Sequence, residues 1–323
     1  MVAERSTDAR SVLMMSRTEL MPSRQPSLDA SGPEPLLAWY TPRRVAFPWR
    51  QTDDPYAVLV SEVMLQQTQA TRVVPAYRSF LRCFPSVHAL ARASRAAVVR
   101  AWDGLGYNRR AVALLGAAQS IVRDHGGRVP ADPEALRRLP GVGPYTSAAV
   151  ASLAFGVPVA AVDTNVRRIV ARVFQGREPH QISAARIGRL AERWLDRRDP
   201  GAWNQALMDL GREVCRPRPR CGICPLAASC RFRAGASRPA GRPQRRGRTR
   251  SEPFEGSHRQ IRGAVVRALR RRSSATLATL TRQIGQPPAR IQRAIAELVG
   301  EGIVHAGPAA RAGRMSGRVR LAD

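Results

Sequence analysis

The sequence predicts an all-α protein that ends in a small winged-helix-like C-terminal module. Three observations carry that reading. From Leu36 to about Arg233 apolar residues recur at three- and four-residue intervals, the spacing of amphipathic helices. No alternating run of strand type stands out over the same stretch. Beyond a basic segment rich in Arg, Gly and Pro, the chain resumes with three more helical patterns and two short strand candidates.

Taken in order, residues 1 to 34 are polar, with scattered Ser, Arg and Pro and no sustained period, and are expected to be disordered. The helical stretch that follows is punctuated at Pro85, Gly104, Gly106, Gly126, Gly156 and Pro200. Residues 234 to 256 read as a linker. In the last block, 257 to 323, Ile261, Val265, Val266 and Leu269 mark one helix. Leu277, Leu280 and Ile284 mark a second, and Ile291, Ile295, Leu298 and Val299 a third. Short strands near Ile303 to His305 and Val319 to Leu321 then pair as a ribbon. Such a module binds DNA or protein, or packs on the main domain; DNA contact is slightly favoured.

Charge narrows the class of partner. The 323 residues carry 53 basic against 24 acidic side chains, a net charge of +29, and every basic residue is arginine, since no lysine occurs. A GC-rich genome explains arginine over lysine but not the excess of cations, which points to a polyanion, nucleic acid before membrane. No apolar run reaches the roughly 20 residues of a bilayer span, and no signal-peptide core is present, so a cytoplasmic, nucleoid-associated protein is expected.

Between Leu139 and Asn165 lies the most informative segment. A short helix from Glu134 meets the turn Pro140, Gly141, Val142, Gly143, and a second helix opens with Pro144 in its first turn. Both glycines are read as free to take φ > 0 and to let a phosphate approach the backbone. The turn's N–H groups and the second helix's positive end form an anion site without a cationic side chain. On this evidence alone, an ordinary helical hairpin weighs about equally. One helix later stands Asp163, as a helix N-cap, as a functional carboxylate, or as both.

Four of the five cysteines are spaced Cys215-x5-Cys221-x2-Cys224-x5-Cys230, with Pro225 after the third. In a cytosolic protein this is a metal site rather than a disulfide framework. Zinc and a [4Fe-4S] cluster both take four cysteines, and spacing alone does not separate them. Arg212, Arg216, Arg218, Arg220 and Arg231 surround the site and would present a positive surface to phosphates. Cys83, in an apolar context, is read as a small core residue.

The hairpin, Asp163 and the cysteine cluster, in this order, resemble the helix-hairpin-helix DNA glycosylases related to endonuclease III, over roughly residues 36 to 233. Within them, Pro48-Trp49-Arg50 and SEVMLQQTQ from Ser61 to Gln69 are similar to the MutY-type adenine DNA glycosylases. The resemblance implies a six-helix subdomain over about 58 to 160 and a cluster subdomain from 35 to 57 and 161 to 233. It implies a [4Fe-4S] cluster on the four cysteines, with zinc as the alternative, and a monomer acting on double-stranded DNA with adenine mispaired to 8-oxoguanine or guanine. Glu62 would protonate the departing adenine, and its place in the apolar run Ala57 to Leu65 favours burial and a raised pKa. A helix-face salt bridge is the plain alternative for Glu62. Asp163 would stabilise the sugar cation or bond to it. Arg50 would orient Glu62 or the flipped base, Tyr145 would line the pocket, and Asn165 would hold water or the sugar backbone. Gln67 and Tyr107 would wedge into the duplex, although a core role for Tyr107 is nearly as well supported. Trp49 and Trp102 are read as core. Strand-cleaving relatives carry a lysine at the place of Tyr145, so base removal without Schiff-base chemistry is expected.

Three departures from the pattern stand out. Relatives usually place six residues between the first two cysteines, and here there are five. Asn108 occupies a place where a second aromatic is common. Residues 257 to 323 are too short for the Nudix-like domain that many MutY-type enzymes use in recognising 8-oxoguanine. The segment Phe254 to Gly263, of form FEG-x-x-RQ-x-RG, is similar to one that ends some short GC-rich relatives.

Overall fold

The computed structural model describes residues 32–235 and 254–323. The expectations for residues 1–31 and for most of the basic linker lie outside these described residues. Helix α1 (Glu34–Tyr40) is followed by α2 (Pro55–Leu65), α3 (Ala70–Cys83), α4 (Val87–Ala91), α5 (Arg95–Ala101), α6 (Arg109–Asp124), α7 (Pro133–Arg137) and α8 (Pro144–Phe155). Then come α9 (Thr164–Gln175), α10 (Ala184–Trp194) and α11 (Pro200–Glu213), which lead into the cysteine loop. No helix among the described residues is long and apolar enough to cross a membrane.

Two cores divide these helices. One is built on α2 to α8, around Val60, Met64, Phe80, Trp102, Leu114 and Leu136. The other joins α1 to α9, α10 and α11 through Leu36, Ile169, Ile187, Trp203 and Leu210. Helix α2 runs through the middle of the first: Asp54 caps it by accepting from the Tyr56 N–H (3.1 Å), Pro55 fills its first turn, and residues Tyr56 to Met64 are all buried. Helix α3 buries only one face, through Val73, Tyr77 and Phe80. Cys83 falls off that stripe, so it is exposed and not the core residue the sequence suggested.

The C-terminal module has the three expected helices, α12 (His258–Arg270), α13 (Leu277–Ile284) and α14 (Pro288–Gly300), and a fourth short one, α15 (Pro308–Arg311). Its two expected strands, β2 (Val304–Ala306) and β3 (Arg318–Leu321), pair antiparallel with Val304 opposite Leu321. A third, β1 (Ala275–Thr276), too short to show alternation, pairs with β3 on its other edge, giving the order β1-β3-β2. Small as it is, the module does not stand apart. Ala96 and Val99 of α5 share its apolar core. Arg270 reaches across to donate to the carbonyls of Val99 (2.9 Å) and Trp102 (3.2 Å) and to Asn108 Oδ1 (2.9 Å), and it pairs with Asp103. Asn108 is therefore part of the dock.

Candidate active site

The candidate site residues come together where α2, α8, α9 and α11 converge. Glu62 projects from the fully buried stretch of α2 and is only 4% exposed. Burial pushes its carboxyl up to about 7, and the charge of Asp163 adds to this; the Tyr145 hydroxyl and the Arg50 guanidinium pull the other way. The side chain can thus carry a proton near neutral pH, and it makes no ion pair among the described residues, so the salt-bridge alternative does not apply. Tyr145, in the first turn of α8, donates its hydroxyl to Met208 Sδ at 3.3 Å, and burial together with the nearby acids raises its pKa well above the usual phenol value.

Asp163 is the N-cap of α9. One of its oxygens, Oδ1, accepts from the backbone N–H groups of Asn165 (2.8 Å) and Val166 (2.7 Å), and Oδ2 accepts from Asn165 Nδ2 (2.8 Å). Asp163 is thus the helix cap the sequence offered, and it lies close enough to Glu62 for its charge to raise that carboxyl. Asn165 is fixed in turn: its Oδ1 accepts from Arg168 (2.8 Å), and a Cβ at Gly211 would meet Asn165 Cβ at 2.5 Å. Only glycine leaves Asn165 this room.

Arg50 does not bond Glu62. Its two terminal nitrogens form a bidentate pair with Asp209 at 2.9 and 3.0 Å, both side chains being buried, and the guanidinium lies over the rings of Tyr40 and Phe47. Its influence on Glu62 is through space. Trp49 and Trp102 are core residues, Trp49 stacked on Phe47 with ring centroids 4.9 Å apart.

At the hairpin the two glycines differ. Gly141 has φ +77°, and a Cβ there would meet Ala113 Cβ at 2.7 Å. Gly143 has φ −93° and ψ 179°, an extended conformation open to any residue, so the sequence reading of two left-handed glycines is corrected to one. Gly143 instead serves as N-cap of α8, where its missing side chain leaves the approach to the helix N–H groups clear: nothing lies within 4 Å of a built Cβ. Gln66 Nε2 ties the α2 exit to this turn through the Gly141 carbonyl (3.4 Å) and Thr146 Oγ1 (3.3 Å).

Gln67 (φ 56°) and Tyr107 (φ 46°) are the two non-glycine residues with positive φ among those described. Such strained positions collect at sites where a surface must be presented in a fixed shape. Tyr107 is 49% exposed and therefore no core aromatic. Both loops hang from one side chain. Arg110 donates to the carbonyls of Val63 (2.9 Å), Met64 (2.8 Å) and Gln66 (2.6 Å), and to Thr68 Oγ1 (3.0 Å), Leu105 and Gly106 (both 3.3 Å). Burial lowers its pKa to about 10, so it stays charged.

Residues 60–197, which span most of this pocket, match the HhH-GPD superfamily of base excision DNA repair proteins. An adenine DNA glycosylase of Mycobacterium tuberculosis is 43% identical over 259 residues, 77% of this chain and 84% of its own. That of Mycolicibacterium smegmatis is 39% identical over 276 residues, 84% of this chain and 92% of its own. The chain belongs to the HhH-GPD superfamily. A match covering 77% of the chain is longer than residues 1–235, so the mycobacterial likeness runs past the cysteine loop. Among solved structures, a thermostable thymine-DNA glycosylase superposes with a TM-score of 0.59 at 32% identity, over 62% of this chain and 94% of that one.

In this HhH-GPD chain Cys215, Cys221, Cys224 and Cys230 all line one cavity, together with Leu210, Leu226, Arg172 and Phe232. Arg172 donates to Cys215 Sγ at 3.7 Å and ion-pairs with Glu178 at 2.7 Å. Among the described residues no three His, Cys, Asp or Glu side chains approach closely enough for a single ion. Four thiols lining one cavity are a donor set that both zinc and a [4Fe-4S] cluster take.

Sequence reasoning missed Asp209, Arg110, Asn204 and Gly211. Asn204 accepts from the Ala161 N–H (2.8 Å) and donates to the Val159 carbonyl (3.0 Å), pinning the strap that leads to Asp163. Asp209 had a usable signal, an acid inside a buried apolar helix, the same one that singled out Glu62.

Proposed function

We propose that the protein removes adenine from duplex DNA where it stands opposite 8-oxoguanine or guanine, and leaves the sugar-phosphate backbone intact. The observation that supports this best is the buried Glu62, its carboxyl pushed up to about 7 and close enough to Asp163, the N-cap of α9, to feel its charge. A buried acid able to give up a proton near neutral pH, with a second carboxyl group beside it, is what loss of a base from its sugar requires.

The chemistry follows from their places. Adenine swings out of the helix into the pocket, and Gln67 and Tyr107 occupy the gap it leaves. Glu62 gives its proton to adenine N7 as the bond from N9 to C1′ breaks, so the electron pair leaves with a neutral base. Positive charge stays on the sugar, where Asp163 opposes it or bonds to C1′. Water then adds to C1′ and its proton returns to Glu62, leaving an abasic site. The residue at the mouth is Tyr145, and the chain has no lysine, so no side-chain amine attacks C1′. Gly141, Gly143 and the N-terminus of α8 hold a phosphate beside the pocket.

The four cysteines are assigned to a [4Fe-4S] cluster, which Cys215, Cys221, Cys224 and Cys230 would hold and which would fix the arginine-rich loop around it. Iron and acid-labile sulfide in purified protein, at about four each per chain, test this, and stoichiometric zinc without sulfide would overturn it.

A duplex with a central 8-oxoguanine:adenine pair is expected to release adenine, with the G:A duplex run beside it. Glu62→Gln is expected to slow release by about 10²- to 10⁴-fold. Undiminished release by that variant would remove Glu62 from the mechanism. Release of thymine from a G:T duplex, with none of adenine, would transfer the assignment to the thymine glycosylases.

A further inference from the structure

One groove remains outside this account. It runs from Gly141 of the hairpin past Gln67, Tyr107 and Arg109 and continues onto the C-terminal module at Arg259 and Arg262. Its far wall is thus made by a module that the reaction above does not use.

The charges along it are not equivalent. Arg262 is neutralised by Glu297 (2.8 Å) and Glu301 (2.5 Å), and His258 also leans on Glu297 (2.8 Å). Arg259 and Arg109 are exposed and have no carboxylate partner among the described residues. Arg259 is braced instead on Phe254, its guanidinium 5.1 Å from the ring centroid. The brace spares it the freedom of a surface arginine. The wall cannot drift, because Arg270 and the shared core fix the module to the loop that carries Tyr107.

We infer that this groove is a path for duplex DNA, in which Arg259 of the C-terminal module holds a backbone phosphate beside the wedge. The module then extends the DNA face of the catalytic domain and does not read sequence on its own. Charge complementarity and continuity with the hairpin both select DNA over a protein partner. The inference rests on the reading of Gln67 and Tyr107 as the DNA-facing wedge.

The test uses the full chain and a duplex carrying a stable abasic-site analogue opposite 8-oxoguanine, with affinity followed by fluorescence anisotropy across a salt series. Arg259→Ala is expected to weaken binding about fivefold at low salt and to reduce the slope of log Kd against log salt by about 0.9, one phosphate contact. Arg259→Lys is expected to keep most of the affinity. Arg282→Ala, an exposed arginine of α13 outside the groove, is expected to change neither quantity. Equal behaviour of Arg259→Ala and wild type overturns the inference, as does an equal loss in Arg282→Ala, which would report only net charge. Adenine release by the wild-type protein is measured on the same preparations. An inactive wild type with the expected binding pattern would remove the adenine reading and leave the groove standing.

Discussion

The candidate catalytic site and the proposed wedge lie at the two ends of the same short segment, Glu62 to Gln67, yet they are built on different physics. At the first the backbone of α2 is ordinary helix and the unusual state belongs to a side chain: a carboxyl that burial pushes up to about 7. At the proposed wedge the side chains are ordinary and the backbone is unusual, with Gln67 and Tyr107 in the left-handed region, held by one half-buried guanidinium. Chemistry needs a shifted proton; insertion into DNA needs a fixed shape. The protein stores one as desolvation and the other as strain.

The largest expected effect breaks the pocket alone. Asp163→Ser keeps a capping oxygen but removes the charge, and is expected to lower single-turnover adenine release by about 10³-fold. Thermal stability should fall by well under about 1 kcal/mol, the scale of a lost cap. A large stability loss with modest rate loss would make Asp163 mainly a cap.

Next, Arg110→Met attacks the wedge. Five carbonyls lose their donor, which should destabilise the fold by about 2 to 4 kcal/mol, since a part-buried acceptor left unpaired costs on the order of 1 kcal/mol and water reaches some of them. Urea unfolding measures it. A change below about 1 kcal/mol would show that the two loops hold themselves.

A third measurement exploits the raised Glu62 pKa. The folded value, about 7, lies above the ordinary 4.5, so stability from the neutral carboxyl is complete below pH 4.5 and is lost as pH rises to about 7. Glu62→Gln should therefore be more stable than wild type at pH 8, by about 3 kcal/mol at most, and should lose that advantage near pH 4. The rate of adenine release should likewise be flat below pH 7 and fall above it. Equal pH dependence of the two proteins' stabilities would mean that Glu62 is solvated.

The smallest effect sharpens the contrast from the other side. Gln67→Gly relieves a left-handed residue and should raise stability by about 0.5 to 1 kcal/mol while weakening binding to the abasic duplex. Stability and function change in opposite directions only if the strain serves DNA.

Much of the pocket was legible because its signals are local. Glu62 is an acid in an apolar helix, Asp163 caps a helix, and the hairpin and cysteines announce themselves by spacing within a few residues. What escaped was long-range. Asp209 lies 159 residues from Arg50, and Arg270 lies 162 from Asn108. In a chain with 53 basic residues no single arginine stands out as a structural keystone. Gly211 was invisible for another reason: its need for a missing Cβ comes from Asn165, a residue on another helix. Gly143 misled because two glycines in one turn look alike until the backbone shows which carries the positive φ.

The docking of the C-terminal module through Ala96, Val99 and Arg270 has a calorimetric consequence. A segment that borrows part of its core from α5 cannot melt by itself without exposing that helix. Heating should therefore give one endotherm for α5, α6 and the module together, and a chain ended at residue 235 should melt earlier than the whole protein, although every residue of its catalytic pocket is still present.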